Sequence, residues 1–552
     1  MTSKIDTERA VVASTEDVQM ESKSEHYHIE NAKHNLNRMD IELMAKNAMK
    51  WNSKASLRLA VVILIQGLSI SPFLRRTGCA AFAIDGNVIG SIDALPAFRT
   101  HFNVGTSGGK LGIILAAMSI GNVVASPFQW LADWIGRRGV TFLGSCILVV
   151  SCVLQAVAPN GACLIVGRLL AGMGASLSAT CGPMYMSEVA PSCYRGLAVG
   201  LYCSCYSVGS IIIACVVLGG SYMDGNWSWR LPMVIQIAPP LIVALLVYPC
   251  TPESPRYLVA KNNEEQARLV IARYQTISED VNDAIVEAEI QQIRESLEIM
   301  SSKAWDFTCL YKTTSSRRRL WIIFLYSFFQ QCNGSVLLNY YFAGILTLVG
   351  ITNTQQQLGI NLGLTVLSYV ATLIGSAFID KLKRRFLLMF SLCIYIFFLA
   401  LISITGGCYA SGISVHATGI ATVAFIFMFN ACTGLFVSVL HNIYPNEVLH
   451  YSQRAKGMGI YSFFQNCFGF IMTYGVSYAL QAWQWKIYFL FIGIDSICLY
   501  LTWQFFPEFS HLSLEEIDLV FETPGVNPVK MSKKLQVAKK EKRVMDHGTA
   551  NP

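Results

Sequence analysis

Apolar and polar positions along this chain alternate in long blocks. Runs of about 20 mostly apolar residues, the length a membrane-spanning helix needs, lie near 111–131, 140–158, 162–183, 197–220 and 232–250. Six more lie near 320–346, 357–379, 386–406, 417–443, 455–480 and 486–506. Each run predicts one spanning helix. The stretch 253–319 between the two sets is charged and has another rhythm. Its segments EEQARLVIARYQ and AIVEAEIQQIRESLEIM carry apolar residues every three or four positions, which predicts amphipathic helices outside the membrane. Residues 1–55 are polar and unpatterned, without the basic start and apolar core of a signal peptide.

The region 57–95 is harder to read. LRLAVVILIQGLSISPF and CAAFAIDGNVIGSIDAL are each marginal for one span, and LRRTG lies between them. Its two arginines would each cost about 2.5–3.5 kcal/mol at mid-bilayer. The pattern fits either two short spans or one span carrying an insertion near 68–78. The basic residues favour one. With one span, Arg137, Arg138, Arg195, Arg317–Arg319, Lys383–Arg385 and Arg454 all share the side of both tails. The loops near 221–231, 347–356 and 407–416 hold only Arg230. This asymmetry predicts twelve spans with both tails cytosolic.

Composition agrees. Hydrophobic residues make up 53% and charged residues 14%, against about 25% charged in soluble domains. That excludes a soluble fold, a disordered chain and a collagen. The 17 cysteines are scattered singly through apolar runs, with no CxxC pair, and read as small apolar residues. A net charge of +7 punctuates helix ends and forms no stripe, so no nucleic-acid partner is expected. Asn226-Trp227-Ser228 is a glycosylation sequon in a loop expected outside the cell, and 533–543 is a basic tail.

Short motifs recur across the chain at nearly one spacing. Asp133, Gly136, Arg137 and Arg138 after the second span match Asp380, Lys383, Arg384 and Arg385 after the eighth. Glu188 with Arg195 matches Glu447 with Arg454, and Pro252-Glu253 matches Pro507-Glu508. These pairs predict two six-helix halves in parallel repeat, 56–252 and 320–507, joined by a cytosolic helical linker, 253–319, and flanked by tails 1–55 and 508–552. A carboxylate at a helix end with arginines just beyond can clamp neighbouring helices. A charge layer that forms and breaks suits alternating access.

These motifs resemble the sugar porter family of the major facilitator superfamily, most of all its fungal hexose and lactose-permease-type members, over about residues 57–522. The resemblance rests on Asp133 through Arg138, on Arg168, Gly172, Gly174, Pro183, Tyr185, Glu188, Pro191, Arg195 and Gly196, and on PESPRYL at 252–258. In the second half it rests on Gln330, Gln331, Gly334, Tyr340 and Tyr341, on YPNEVLHYSQRAKG at 444–457, and on FPEFSHLSLEEI at 506–517.

The resemblance implies a major facilitator fold and assigns roles. Asp85 and Arg168, ionisable groups inside the membrane, match the family's proton-coupling pair. Gln330, Gln331 and Asn466 match amides of its sugar site, joined here by Asn339, Tyr340 and Tyr341. Asp133, Arg137, Arg138, Glu188, Arg195, Glu253, Arg256, Asp380, Arg384, Arg385, Glu447 and Arg454 are the cytosolic gating charges. The chain also departs from the family. Cys203 replaces an amide of the fifth span, Val336 an asparagine of the seventh, Ser368 an asparagine of the eighth, and Phe463 a tryptophan.

The expected function is alternating-access transport of a mono- or disaccharide, coupled to protons, by a monomer in the plasma membrane. Its partners are a sugar, a proton and the lipid bilayer. No covalent chemistry, cofactor or metal is expected. Two alternatives stay open: a non-transporting sugar sensor on the same scaffold, or an inactive product mis-spliced near 68–78.

Overall fold

The computed structural model describes residues 88–105, 108–191, 195–276, 280–299, 308–348, 350–378, 382–413, 415–449, 454–509, 514–522 and 528–537. Asp85, Asp380 and the whole question of 57–87 lie outside the described residues. Among the described residues every regular element is helical.

Helical residues 88–92 lead into α1 (Pro96–Phe102). The second span is α2 (Gly109–Ala125), extended by a 3-10 turn at Ser126–Trp130 and a last helical turn at Leu131–Ile135. Next come α3 (Arg137–Val157), α4 (Gly161–Val189) and α5 (Arg195–Gly220). The sixth span is two pieces, α6 (Trp227–Ile235) and α7 (Ala238–Cys250). Pro239 and Pro240 sit in the first turn of α7, where their missing N–H groups leave no helix bond unmade.

The charged stretch forms α8 (Pro255–Ala260), α9 (Glu264–Gln275) and α10 (Ala284–Ile299). Beyond it lie α11 (Thr314–Cys332), α12 (Ser335–Tyr340), α13 (Phe342–Leu348), α14 (Thr354–Phe378) and α15 (Arg384–Ala410). The chain continues through α16 (Val415–Cys432), α17 (Ser438–Val448), α18 (Arg454–Trp483), α19 (Ile487–Phe505) and α20 (Leu514–Glu522). Among the described residues eight helical stretches are long and apolar enough to cross a membrane, and the last of them, Lys456–Phe505, contains both α18 and α19.

Besides the sixth, two spans differ from the continuous helices expected. The seventh breaks at Asn333 and Gly334. The Asn333 amide donates back to the Phe329 and Gln330 carbonyls at 3.2 and 3.3 Å, while its Oδ1 accepts from Ser335 N at 3.1 Å. One side chain thus satisfies backbone groups that the break frees, as a bilayer demands. The tenth span contains a π turn, Thr433–Val437, between α16 and α17. Thr433 Oγ1 donates to the Phe429 carbonyl at 3.0 Å and Ser438 Oγ to the Thr433 carbonyl at 3.2 Å.

The glycines beside Arg168 explain themselves by close packing. A Cβ on Gly172 would lie 2.1 Å from the Met118 carbonyl oxygen of α2, and one on Gly174 would lie 2.7 Å from the Gly144 oxygen of α3. Only glycine lets α4 lie between these two backbones. Helices α2 and α18 run side by side. At one end Gly108 N donates to Ser477 Oγ at 3.1 Å and Ser477 Oγ donates to the Gly108 carbonyl at 2.7 Å. At the other end a Cβ on Gly459 would lie 3.0 Å from Gln129 Oε1.

The chain divides into two compact units. The larger one holds most of the spans. The smaller one gathers, among the described residues, 186–191, 195–198, 254–276 and 280–297. It has an apolar core of its own, Leu258, Ala267, Ile271, Ala272, Val286 and Ile290. All but Leu258, which α8 contributes, are the buried stripe that the three-or-four rhythm of α9 and α10 predicts.

Candidate functional site: two acid-capped clamps and a broken polar span

The repeated motif builds the same arrangement twice. In the first copy, Gly136 turns the chain with φ +92°, a left-handed value that favours glycine, and α3 starts at once. The Glu253 carboxylate then accepts the first two amides of α3, from Arg137 N at 3.0 Å and Arg138 N at 3.4 Å. An anion at a helix N-terminus satisfies orphan N–H groups and meets the positive end of the helix dipole. The arginine side chains reach back: Arg137 pairs with Asp133 at 3.1 Å, and Arg138 Nη2 donates to the Tyr248 carbonyl at 3.2 Å. Tyr185 donates to the Pro252 carbonyl at 2.7 Å and fixes the segment that carries Glu253.

The second copy repeats the cap, the arginine pair and the tyrosine, but its first arginine pairs with Glu447, the counterpart of Glu188 rather than of Asp133. Glu508 caps α15, accepting from Arg384 N and Arg385 N, each at 2.9 Å. Arg384 pairs with Glu447 at 3.4 Å, and Arg385 Nη2 donates to the Trp503 carbonyl. Tyr444 donates to the Pro507 carbonyl at 3.2 Å. The residues missing from the expected gate are therefore Glu508, Tyr185 and Tyr444. All three stand inside motifs visible in the sequence, but their roles depend on which helix end they meet.

Of the remaining charges expected to gate, Glu188 accepts a hydrogen bond from Ser254 Oγ inside the smaller unit, and Arg256 is half-buried in α8. Arg195 and Arg454 open α5 and α18, and their side chains lie outside the described residues, as does Asp380.

Of the expected sugar-binding groups, Gln330, Gln331, Asn339, Tyr340 and Tyr341 lie on the broken seventh span itself. Gln330 is buried and turned into helix packing: its Nε2 donates to Tyr326 Oη at 2.7 Å, and its Oε1 faces His441 Nδ1 at 3.5 Å. Gln465 Nε2 lies 3.2 Å from His441 Nε2. An amide donor on Nε2 and an amide acceptor at Nδ1 fit one neutral imidazole with its proton on Nδ1. Gln331 points elsewhere. A Cβ on Gly469 would lie 3.5 Å from Gln331 Oε1 and 3.7 Å from Ser119 Oγ, so α2, α11 and α18 converge on this amide.

Tyr341 donates to the Thr473 carbonyl at 2.5 Å, and Tyr340 is half-buried at the end of α12. Asn466 Nδ2 donates to the Ser462 carbonyl of its own helix at 2.7 Å. Ser368 is half-buried on α14, and Val336 is buried. The side chains of Asn339 and Cys203 lie outside the described residues.

Arg168 is fully buried on α4. It follows Gly167, whose carbonyl accepts from Ser151 Oγ at 2.8 Å, beside the buried Gln155. Two further acids, Asp93 and Asp495, are fully buried. Asp93, just after helical residues 88–92, pairs with Arg99 at 3.6 Å. Asp495 lies midway along α19. The same search for charge inside apolar runs that selected Asp85 reaches both.

Known proteins give this geometry a family. The family model described as "Sugar (and other) transporter" matches residues 74–521. The chain is 26% identical over 435 residues to the high-affinity glucose transporter of Kluyveromyces lactis, covering 75% of this chain and 77% of that protein. It is 26% identical over 476 residues to myo-inositol transporter 2 of Schizosaccharomyces pombe, covering 82% and 81%. The galactose-proton symporter of Escherichia coli K12 is 29% identical over 320 residues, covering 57% and 64%. Among solved structures, the inward-open xylose transporter XylE from E. coli superposes with a TM-score of 0.68 at 19% identity, over 84% of this chain and all of that one. That likeness carries the fold, a major facilitator arrangement of helices. With a family model spanning most of its length, the chain belongs to the sugar (and other) transporter family of membrane carriers.

Proposed function

We propose that this protein carries a sugar or sugar-like polyol across a membrane by alternating access, driven by inward proton flow. The observation that supports this most is the duplicated clamp. An acid-capped helix, a pair of arginines and an anchoring tyrosine join α3 to the end of α7, and the same set joins α15 to the end of α19. A carrier that rocks two similar halves around a central site needs such joints in matched pairs. In this reading the halves are 56–252 and 320–507, linked by 253–319. The clamps face the cytosol with both tails, and the carrier works as a monomer in the plasma membrane.

The sugar part rests on Gln331 and Asn466, amides of α11 and α18, with Tyr340 and Tyr341 at the break, residue types suited to hydroxyl-rich ligands. Relatives named for glucose, myo-inositol and galactose with a proton support the same class. Asp85 with Arg168 is the coupling pair. A carboxylate beside a guanidinium stays ionised, and it takes a proton once the guanidinium withdraws.

Uptake of radiolabelled glucose, galactose, xylose, myo-inositol and lactose in cells lacking their own sugar carriers tests this. At least one ligand accumulates, and an uncoupler abolishes the accumulation. Asp85→Asn equilibrates the same ligand without concentrating it. Uptake indifferent to both the uncoupler and Asp85→Asn overturns the coupling. Failure to take up any of the five overturns the transport reading in favour of a sensor or an inactive product.

A further inference from the structure

Asp495 is an ionisable group for which neither the clamps nor the sugar site has a use. It sits midway along the 19-residue α19, in the buried stripe Tyr488, Phe491, Asp495, Cys498 and Thr502. That three-or-four spacing puts the carboxyl where an apolar side chain would pack. It is 0% exposed, and neither carboxyl oxygen has a hydrogen-bond partner. Asp93 is buried to the same degree, yet it has Arg99 at 3.6 Å. Asp495 has no such cation among the described residues.

Titratable neighbours of Asp495 on the helices packed around it are Cys332 of α11, Tyr395 of α15 and Cys498 one turn along α19. All are acids, so none can offset a negative charge. The cations on the elements that touch α19 all stand at helix ends: Arg317, Arg318 and Arg319 near the start of α11, Arg384 and Arg385 at the start of α15, Arg454 and Lys456 at the start of α18, and Lys486 just before α19. A bare carboxylate without donors or counter-ion is not tolerated in such surroundings, whereas the neutral acid is.

We propose that Asp495 is a proton-binding site: it holds a proton in this conformation and exchanges it with water only when α11, α15 and α19 separate. The packing of these three helices is then linked to proton occupancy. In a proton-coupled cycle, the reading this inference extends, Asp495 supplies a second acceptor besides Asp85.

The test uses the purified full-length protein in liposomes and needs no transported substrate, so its outcome is separate from that of the uptake panel. Infrared spectroscopy at neutral pH should show the carbonyl stretch of a protonated carboxylic acid without hydrogen bonds. The band disappears in Asp495→Asn and persists in Asp85→Asn. The second measurement is thermal unfolding against pH. A proton held by the folded state and released on unfolding makes the folding equilibrium fall about tenfold per pH unit as pH rises. Asp495→Asn, the uncharged isostere, removes that slope. Should Asn fail to fold, Asp495→Glu keeps the acid and shifts the band. A wild-type spectrum that Asp495→Asn leaves unchanged, or equal pH slopes in both proteins, overturns the proposal.

Discussion

The two clamps share a design and differ in how deeply it is set. In the second, Glu508 is only 4% exposed and gives one carboxylate oxygen to each of the two backbone amides at the start of α15. In the first, Glu253 is half-buried and serves both amides of α3 with a single oxygen, the second bond stretched to 3.4 Å. The arginine partners follow the same trend. Asp133, which pairs with Arg137, is 61% exposed, while Glu447, which pairs with Arg384, is 25% exposed. A buried charge-assisted bond loses less to water than an exposed one. The second clamp is therefore the stiffer joint, and the first is the one better suited to open and close.

Breaking the carboxylates tests this ranking most strongly. In Glu508→Gln the amide nitrogen replaces one acceptor and faces a backbone N–H, so one buried charge-assisted bond becomes donor against donor. The expected cost is about 2–3 kcal/mol, read as a lowered unfolding temperature of the purified carrier together with lost uptake. In Glu253→Gln an oxygen remains to serve both amides, while the negative charge at the helix start is lost. That costs about 1 kcal/mol or less. Equal losses in the two variants would remove the distinction between the joints.

The tyrosines should reverse the order. Tyr185 holds the Pro252 carbonyl at 2.7 Å, whereas Tyr444 holds the Pro507 carbonyl at 3.2 Å. Tyr185→Phe should then cost about 1 kcal/mol and Tyr444→Phe about half that. Thermal unfolding of both variants under one condition checks the order. A first clamp held more by its tyrosine than by its acid can loosen its charges without losing its shape.

Much of this was legible in the sequence because a bilayer imposes a length rule. Block lengths located the spans, and the recurrence of Asp133, Arg137 and Arg138 as Asp380, Arg384 and Arg385 announced the second clamp. The capping role of Glu508 was not legible, since a carboxylate becomes a cap only when the fold brings a helix start to it. The break in the seventh span was half visible. Asn333-Gly334 is a turn signal, masked by apolar neighbours on both sides that keep the hydropathy high. Gln330 matched a sugar-site amide, yet its side chain is engaged by Tyr326 and His441, partners that come from tertiary packing. Asp495 was visible as a charge in an apolar run, but its lack of any partner could be known only once its neighbours were in place.

The smallest effects belong to charges that water already screens. Asp133→Asn removes an exposed partner of Arg137, whose Nη1 keeps the Ala132 carbonyl at 3.1 Å. The change should cost about 0.5 kcal/mol or less and leave the unfolding temperature nearly unmoved. The linker network sets the lower end of the scale. Glu264 bonds Arg294 and Arg268, and Arg268 also reaches Glu287. The Arg294 hydrogen bond above all, with Arg268 adding to it, holds the Glu264 carboxyl below the ordinary carboxylate range. A carboxyl whose folded value is depressed stabilises the fold above its unfolded value and loses that stabilisation as pH falls through the folded one. Protection against hydrogen exchange in α9 and α10, taken relative to intrinsic exchange at each pH, should therefore fall on acidification below the ordinary carboxylate range, and Glu264→Gln should flatten the response. Because the network is solvated, the change should stay small and fade with added salt. An acid response as large as the loss caused by Glu508→Gln would mean that burial does not set the order of these carboxylates, and the contrast between the clamps would need another cause.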